Sequence, residues 1–369
     1  MIHFNKIAIV GCGLIGGSLA LSLRLHGVSN QIHAVDVDRQ GLQQALSLGV
    51  IDHAADSLEE LVTDADLIIL AVPVQQAISL LEKLAELPLK KGCIVTDAAS
   101  TKKEICEFAH NRMPEGISFI GGHPMAGSER TGVLAASPRL FENAVYVLTP
   151  SPGQDPIAVE TLRKTFEQIR AHVLFMDPLE HDRITAAVSH VPHLVAGLLV
   201  DQVADLDLEN RLYSQLAAGG FRDVTRIASG SPVMWRDIVL TNKEPILQLL
   251  KDWNHRVAQW IEWIESTDVA NMESFFTRTR DWRDALPAKA KGAAANYYEI
   301  ALDVEDKPGI IANVTTVLGQ HQINLRNITI LENREEINGQ LLLSFASCSE
   351  QGEALRVLQE LGYKVFALE

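Results

Sequence analysis

One histidine lies in a segment where its imidazole could transfer a proton. Residues 121–129 read Gly-Gly-His-Pro-Met-Ala-Gly-Ser-Glu, and the glycines and proline leave no helical or strand period around His123. An imidazole exchanges a proton near neutral pH, which suits it to acid–base catalysis. We therefore expect His123 to act on a reacting oxygen, with Ser128 and Glu129 beside it. The alternative is a loop histidine bound only by backbone groups.

Three further histidines follow in a helical pattern. His190 and His193 are three residues apart, which places both on one face of a helix. His181 lies nine residues before His190, and neither a cysteine nor a carboxylate completes an evident coordination set. We expect these histidines to line a polar cleft, and we expect no metal.

A carboxylate and an arginine further along could bind an anionic substrate. Asp223 and Arg226 are three residues apart in a helical pattern. The carboxylate would orient the guanidinium so that it binds a substrate carboxylate through two hydrogen bonds. A purely structural salt bridge is the alternative.

A glycine-rich turn near the N-terminus predicts a dinucleotide site. The motif Gly11-Cys12-Gly13-Leu14-Ile15-Gly16 follows a short apolar strand and opens a helix. In such turns the glycines allow a tight bend, close approach of the pyrophosphate and close packing of helix on strand. The expected cofactor contacts are Gly11, Gly13, Leu14, Ile15, Gly16, Asp36, Val72 and Pro73.

The residue at the end of the second predicted strand favours NAD over NADP. Asp36 stands where a carboxylate accepts hydrogen bonds from the adenosine ribose and repels a 2′-phosphate. Arg39 follows shortly and leaves NADP open. Ser100 comes after another predicted strand, where it would donate to a substrate hydroxyl or to nicotinamide, or cap the next helix.

The order of patterns predicts three domains. Alternating strands and helices over residues 1–177 indicate an α/β Rossmann-type domain with a parallel sheet. Residues 178–284 hold all five tryptophans and read as an all-α domain for substrate binding and dimerisation. An Ala-, Lys- and Pro-containing linker covers 285–295, and a ferredoxin-like βαββαβ domain covers 296–369.

Composition limits the partners. A formal net charge of −15 argues against nucleic acid and anionic membranes. No signal peptide fits before the strand that begins near Ile7, and no apolar run approaches the roughly 18 residues of a membrane span. The four cysteines are scattered, as expected of small core residues in a reducing compartment. We expect a cytoplasmic protein.

The C-terminal domain opens with a loop suited to a small carboxylate ligand. Pro308 and Gly309 lead into a helix at Ile310, whose first amide groups could hold an anion. Asn324 lies near the start of the next predicted strand. These four residues are the expected regulatory site.

Several motifs together identify a family. They are GCGLIGGS at 11–18, the segment around Ser100, GGHPMAGSE at 121–129, SHVPH at 189–193, GFRDVTRIA at 220–228 with MWRD at 234–237, and DKPG at 306–309 with IN at 323–324. With these motifs the chain resembles prephenate dehydrogenases that carry a C-terminal ACT domain, and the resemblance spans nearly the whole chain. It implies oxidative decarboxylation of prephenate to 4-hydroxyphenylpyruvate with reduction of NAD.

The resemblance also assigns roles to particular residues. It implies that His123 binds the ring hydroxyl, that Ser100 positions this hydroxyl or the nicotinamide, and that Arg226 binds a substrate carboxylate. It further implies a pocket shaped by His190, His193 and Asp223 and gated by Glu129, a homodimer formed by the helical domain, and tyrosine as the effector of the ACT domain.

Two alternatives remain open from the sequence. An arogenate dehydrogenase or a dual-specificity cyclohexadienyl dehydrogenase would perform the same ring chemistry. A non-catalytic sensor of NAD and an amino acid would keep both ligand-binding domains, although His123, Ser100 and Arg226 argue against it.

Overall fold

The computed structural model describes residues 2–127, 130–286, 298–305, 307–331 and 338–368. The chain forms two compact units that divide between residues 281 and 282. Of the predicted linker, residues 287–295 lie outside the described ranges, as do Ser128 and Glu129.

The first unit begins with an eight-stranded sheet in the order β3-β2-β1-β4-β5-β6-β7-β8. The strands are β1 (Ile7–Val10), β2 (Ile32–Val35), β3 (His53–Ala54), β4 (Leu67–Leu70), β5 (Ile94–Asp97), β6 (Ser118–Pro124), β7 (Val145–Thr149) and β8 (His172–Phe175). Strands β1 and β4 are apolar and buried at every position, as expected of strands covered on both faces. The covering helices are α1 (Leu14–Leu25), α2 (Arg39–Ser47), α3 (Leu58–Val62), α4 (Val74–Glu86), α5 (Lys103–Arg112) and α6 (Pro156–Gln168). The predicted Rossmann-type class is therefore confirmed.

The sheet is not parallel throughout, which corrects the sequence prediction. Strand β7 pairs antiparallel with β6, whereas β8 pairs parallel with β7. A parallel return needs a crossover of a dozen or more residues, usually a helix. In the described part of the β6–β7 connection, the only helical segment is a three-residue 3₁₀ turn, Val133–Ala135. The chain therefore turns back beside β6.

The helical region contains α7 (Pro178–Thr185), α8 (Val191–Glu209), α9 (Leu212–Leu216), α10 (Gly219–Thr225), α11 (Pro232–Thr241), α12 (Lys243–Ser266) and α13 (Val269–Ala285). The sequence patterns over 180–205 and 245–281 each predict a single helix, and both are divided in the structure. A π-helical turn, Ala186–His190, separates α7 from α8, and Thr267 with a left-handed φ of 52° separates α12 from α13. The apolar periodicity of the sequence reveals neither break.

One helical run in this region is long and apolar enough to cross a membrane. It covers Pro178–Glu209, with a mean hydropathy of 1.4 in its most apolar window, of which 28% is buried. The core helix of a soluble protein can have the same length and composition. The expectation that no segment spans a membrane therefore stays a prediction.

The second unit holds a four-stranded antiparallel sheet in the order β10-β11-β9-β12. Its elements are β9 (Tyr298–Glu305), α14 (Ile310–Gln320), β10 (Asn327–Leu331), β11 (Asn338–Phe345), α15 (Cys348–Glu360) and β12 (Lys364–Leu368). This order confirms the predicted βαββαβ domain. Strand β10 begins at Asn327, so Asn324 precedes the strand and is exposed.

Three of the four cysteines are core residues as expected. Burial raises the pKa of Cys12, Cys93 and Cys106 to about 12 in each case. Cys348 is exposed, which corrects the prediction for that residue.

Candidate active site

The predicted chemistry residues gather at one edge of the sheet. Strands β1, β4, β5 and β6 are parallel neighbours, so their carboxyl ends point to the same side. The glycine-rich turn follows β1, Val72 and Pro73 follow β4, Ser100 follows β5, and His123 lies at the end of β6. Ligands of open α/β sheets bind at this edge.

The glycine-rich turn has the shape that a pyrophosphate requires. Gly11 has φ +91°, and a Cβ atom there would overlap the carbonyl oxygen of Ala71 and lie 2.7 Å from Val72 Cγ1. A Cβ atom on Gly16 would overlap the carbonyl oxygen of Gly11, so helix and strand pack too closely for a side chain. A Cβ atom on Gly13 would meet nothing within 4 Å. The open space at Gly13, at the start of α1, fits the phosphates of a dinucleotide.

Asp36 is held where a ribose would bind. Its carboxylate accepts hydrogen bonds from the amides of Cys12 (2.6 Å) and Asp38 (2.8 Å) and is partly exposed. A carboxylate has about four acceptor sites, so acceptor capacity remains for ribose hydroxyls. Arg39 donates to the carbonyl oxygens of residues 55 and 56, at 3.0 and 2.8 Å. This guanidinium is thus engaged elsewhere, which favours NAD.

His123 is the first member of a hydrogen-bonded chain of side chains. Its Nδ1 lies 2.8 Å from Nε2 of His181, and the two rings meet edge to face at 72°. The other ring nitrogen of His181, Nδ1, lies 2.7 Å from Oδ1 of Asp182. His181 and Asp182 are each only 1% exposed. Because Nδ1 of His123 is engaged, Nε2 is the atom left for a substrate.

The environment keeps His123 neutral. Burial lowers its pKa well below the usual value, and the positive charge of Lys102 and the histidines His181 and His190 add to this effect. A neutral imidazole with a free nitrogen accepts a proton, whereas an imidazolium cannot. The site therefore presents an acceptor at neutral pH.

A buried ion pair fixes the loop between β5 and α5. Lys102 is fully buried and donates to the carboxylate of Asp97, which is also fully buried. The same carboxylate accepts from the amides of Ala99 (2.9 Å) and Gly122 (3.0 Å). Asp97 therefore joins the segment that carries Ser100 to the strand that carries His123.

Ser100 lies between these anchors and is partly exposed. Helix α5 begins at Lys103 with Lys102 in the N-cap position, so Ser100 does not cap it. The structural alternative for Ser100 is wrong, and its role toward a ligand stays a prediction.

His190 and His193 differ in their surroundings despite their shared spacing. His190 is 1% exposed, its Nδ1 lies 3.0 Å from Nδ2 of Asn242, and burial lowers its pKa to about 4. His193 is half-buried and stacks on Trp235, with ring centroids 3.4 Å apart. The amide of Asn242 donates, so His190 carries its proton on Nε2 and can donate a hydrogen bond.

The remaining predicted substrate contacts are less defined. Asp223 lies on α10 and Arg226 directly after it, and both are exposed. Ser128 and Glu129 lie outside the described ranges.

The sequence analysis did not predict the residues that contact or surround His123. His181 was expected only to line a cleft, and neither Asp182 nor the Asp97–Lys102 pair was expected at the site. The adjacent His-Asp pair in a helical pattern was the available signal for Asp182. Nothing in the sequence shows that 58 residues further along α7 returns to β6.

Comparison with known proteins finds the same family as the motifs. Three family models match: the prephenate dehydrogenase nucleotide-binding domain at residues 19–175, its dimerization domain at 177–278, and the ACT domain at 298–363. The prephenate dehydrogenase of Bacillus subtilis is 41% identical over 96% of each chain, and that of Lactococcus lactis is 38% identical over 96% of this chain and 98% of the relative.

Solved structures agree over about three quarters of the chain. Prephenate dehydrogenase from A. aeolicus, in complex with hydroxyphenyl propionate and NAD+, has a TM-score of 0.71 and 30% identity, covering 77% of this chain and 98% of its own. Synechocystis arogenate dehydrogenase has a TM-score of 0.65 and 34% identity, covering 76% and 99%. The resemblance drawn from the motifs is thereby confirmed.

Proposed function

Because the chain belongs to the prephenate dehydrogenase family and carries its NAD-binding domain, we propose that His123 accepts the ring hydroxyl proton of prephenate during oxidation. The observation that carries this proposal is the neutral, partly buried His123, whose Nδ1 contacts His181 and which lies at the nucleotide-binding edge of the sheet. Such a group contributes roughly 10²–10⁴-fold to a rate.

The hydride, the proton and the CO2 are all accounted for without an additional base. Bound NAD+ accepts the hydride from the ring carbon that bears the hydroxyl. Nε2 of His123 takes the hydroxyl proton as that carbon becomes a carbonyl. The ring carboxylate then leaves as CO2, and the electron pair of the broken bond makes the ring aromatic and its oxygen a phenolate. His123 returns the proton to this oxygen, so no net proton is released.

The other predicted residues bind and orient. Ser100, which follows β5 beside the Asp97 anchor, positions the hydroxyl or the nicotinamide. Arg226 binds a substrate carboxylate, Asp223 orients that guanidinium, and His190 donates through Nε2 into the pocket. Ser128 and Glu129 complete and gate the pocket in this proposal.

The test of the activity is NADH formation with two substrates. We expect a higher kcat/KM with prephenate than with arogenate, as the two most similar curated enzymes reported above are named prephenate dehydrogenases. A preference for arogenate would favour the second candidate, which the 34% identical arogenate dehydrogenase supports. No NADH from either substrate would leave the sensor alternative.

We further propose a homodimer through the helical region. Trp253, Val257, Ile261 and Ile264 are exposed on α12 at spacings of four, four and three residues, which makes one apolar stripe. A second copy of the chain would cover this stripe and remove its apolar side chains from water, as expected of a cytoplasmic protein. Light scattering should give about twice the 40.5 kDa chain mass, and V257K with I261K should give the monomer mass. A monomeric wild type would contradict this.

We also propose that tyrosine binds the ACT domain. Gly309 has φ +90° and precedes α14, beside a cleft of about 350 Å³ that contains Ile310, Lys307 and Asp303. We also propose Pro308 and Asn324 as contacts, although neither residue lines this cleft. Tyrosine should inhibit the full-length enzyme, and Gly309→Ala, strained by its positive φ, should weaken inhibition at unchanged basal kcat. Equal inhibition of both proteins would contradict this site.

A further inference from the structure

We propose that His181 and Asp182 are positioning residues that hold neutral His123 in one tautomer, with the proton on Nδ1 and the lone pair on Nε2. This inference rests on the proposed role of His123 and extends it to residues that do not touch the substrate. It is carried by the unbroken chain from Asp182 through His181 to His123 at 2.7 and 2.8 Å.

The carboxylate of Asp182 decides which atoms donate and which accept along this hydrogen-bonded chain. A carboxylate only accepts hydrogen bonds, so Nδ1 of His181 must carry a proton and donate to Oδ1 of Asp182. Nε2 of a neutral His181 is then a lone pair, and Nδ1 of His123 must donate to it. The lone pair of His123 is left on Nε2, where a substrate hydroxyl can donate.

The carboxylate of Asp182 is fixed by a second element. Its Oδ1 accepts from the amide of Lys102 at 2.7 Å, and its Oδ2 accepts from the amide of Lys103 at 2.9 Å. These amides open α5, whose N-cap residue supplies no side-chain acceptor. Asp182 thus caps α5 from another helix, and the positive end of the helix dipole favours its negative charge.

The negative charge of Asp182 at the end of this chain favours proton transfer to His123, against the burial and the neighbouring His181 that lower its pKa. When Nε2 takes a proton, the ring becomes cationic, and its Nδ1–H is already directed toward His181 and the negative charge of Asp182. The other charged or titratable groups that face this site are His190 from the π-helical turn and Lys102, which Asp97 neutralises as its ion-pair partner. A comparable Asp–His arrangement sets the tautomer of the histidine in serine proteases, where the Asp→Asn change costs about 10⁴ in kcat.

The experiment is a double-mutant cycle in the full-length enzyme. His181→Leu removes the acceptor, and we expect kcat to fall toward the value of His123→Asn but not below it. His181→Gln offers an amide oxygen at a similar position and should restore most of the loss. In the His123→Asn background, His181→Leu should change kcat by less than about twofold, because a residue acting only through His123 has nothing left to position.

Asp177→Ala is the matched structural control. Asp177 caps α7, the helix that carries both positioning residues, by accepting from the amides of Leu179 (2.9 Å) and Glu180 (3.2 Å). Losing this cap should lower the melting temperature by roughly a few degrees without moving the pH profile of kcat/KM. His181→Leu should move that profile, since it changes the proton affinity of His123.

Two results would overturn the inference. An equal loss from His181→Leu with and without His123 would show a purely structural role. Nitrogen NMR of histidine-labelled protein that finds the lone pair of His123 on Nδ1 would show the opposite proton order. The NMR measurement reads the tautomer of His123 without turnover. An enzyme that is inactive on prephenate would therefore refute the proposed function, and the NMR result would still decide the tautomer.

Discussion

Replacing Gly13 by alanine should separate cofactor binding from folding. Gly13 has φ −80° and ψ −151°, an extended conformation open to any residue, and a Cβ atom there meets nothing within 4 Å. Alanine should therefore fit without strain. Because it also restricts the unfolded chain, it should leave stability unchanged or raise it by about 0.4–1 kcal/mol.

The same methyl group would stand where the pyrophosphate must approach the backbone. Pushing the phosphates away weakens their hydrogen bonds to the first amides of α1, and each such charge-assisted bond contributes about 1.5–3 kcal/mol. Loss of one bond corresponds to a rise in the Kd for NAD of roughly 10- to 150-fold. We expect this loss in a protein with a normal melting temperature.

The assay compares NAD binding by calorimetry with thermal unfolding for Gly13→Ala and Gly16→Ala. Gly16→Ala is the contrasting variant, since its Cβ would overlap the carbonyl oxygen of Gly11 and should destabilise the fold itself. Wild-type affinity for NAD in Gly13→Ala would refute the placement of the pyrophosphate at this turn.

Three further predictions address charge. Asp36→Asn should raise KM for NAD roughly tenfold and improve use of NADP, as steady-state kinetics with both cofactors would show; unchanged discrimination would contradict the ribose contact. The folded-state pKa of His190 is lowered to about 4, so the free energy of unfolding should fall as pH drops below about 6.5, by roughly 2 kcal/mol at pH 5. Urea unfolding of His190→Gln should not show this decrease. Identical pH slopes for wild type and variant would contradict the prediction. Asp97→Asn should destabilise by about 3–5 kcal/mol and Asp97→Asn with Lys102→Met by much less, whereas equal unfolding midpoints would show that the pair is not coupled.

The sequence predicted what local patterns encode. The GxGxxG turn, the strand directly before Asp36 and the βαββαβ order each depend on spacing within a short segment, and the structure has all of them. The antiparallel return of β7 was missed because strand direction depends on the length and path of the connection, which alternation of apolar residues does not reveal.

The site was predicted only as far as single residues allow. His123 was recognised from the glycines and proline around it, although the expected loop is the end of strand β6, where His123 pairs with Val147. Its partners lie on α7, and this pairing across 58 residues is a property of tertiary packing. Likewise, spacing placed His190 and His193 on one face, whereas Asn242 and Trp235 decide what each ring contacts.

The most direct test of the account is the rate of NADH formation from prephenate by His123→Asn. Asparagine keeps a polar side chain of similar size but takes no proton, so kcat should fall roughly 10²–10⁴-fold. The Kd for NAD should stay at the wild-type value, and the acidic limb of the kcat/KM profile, which lies below pH 6.5 because the pKa of His123 is lowered, should disappear. A variant that keeps a kcat within about twofold of wild type would contradict the proton-accepting role of His123.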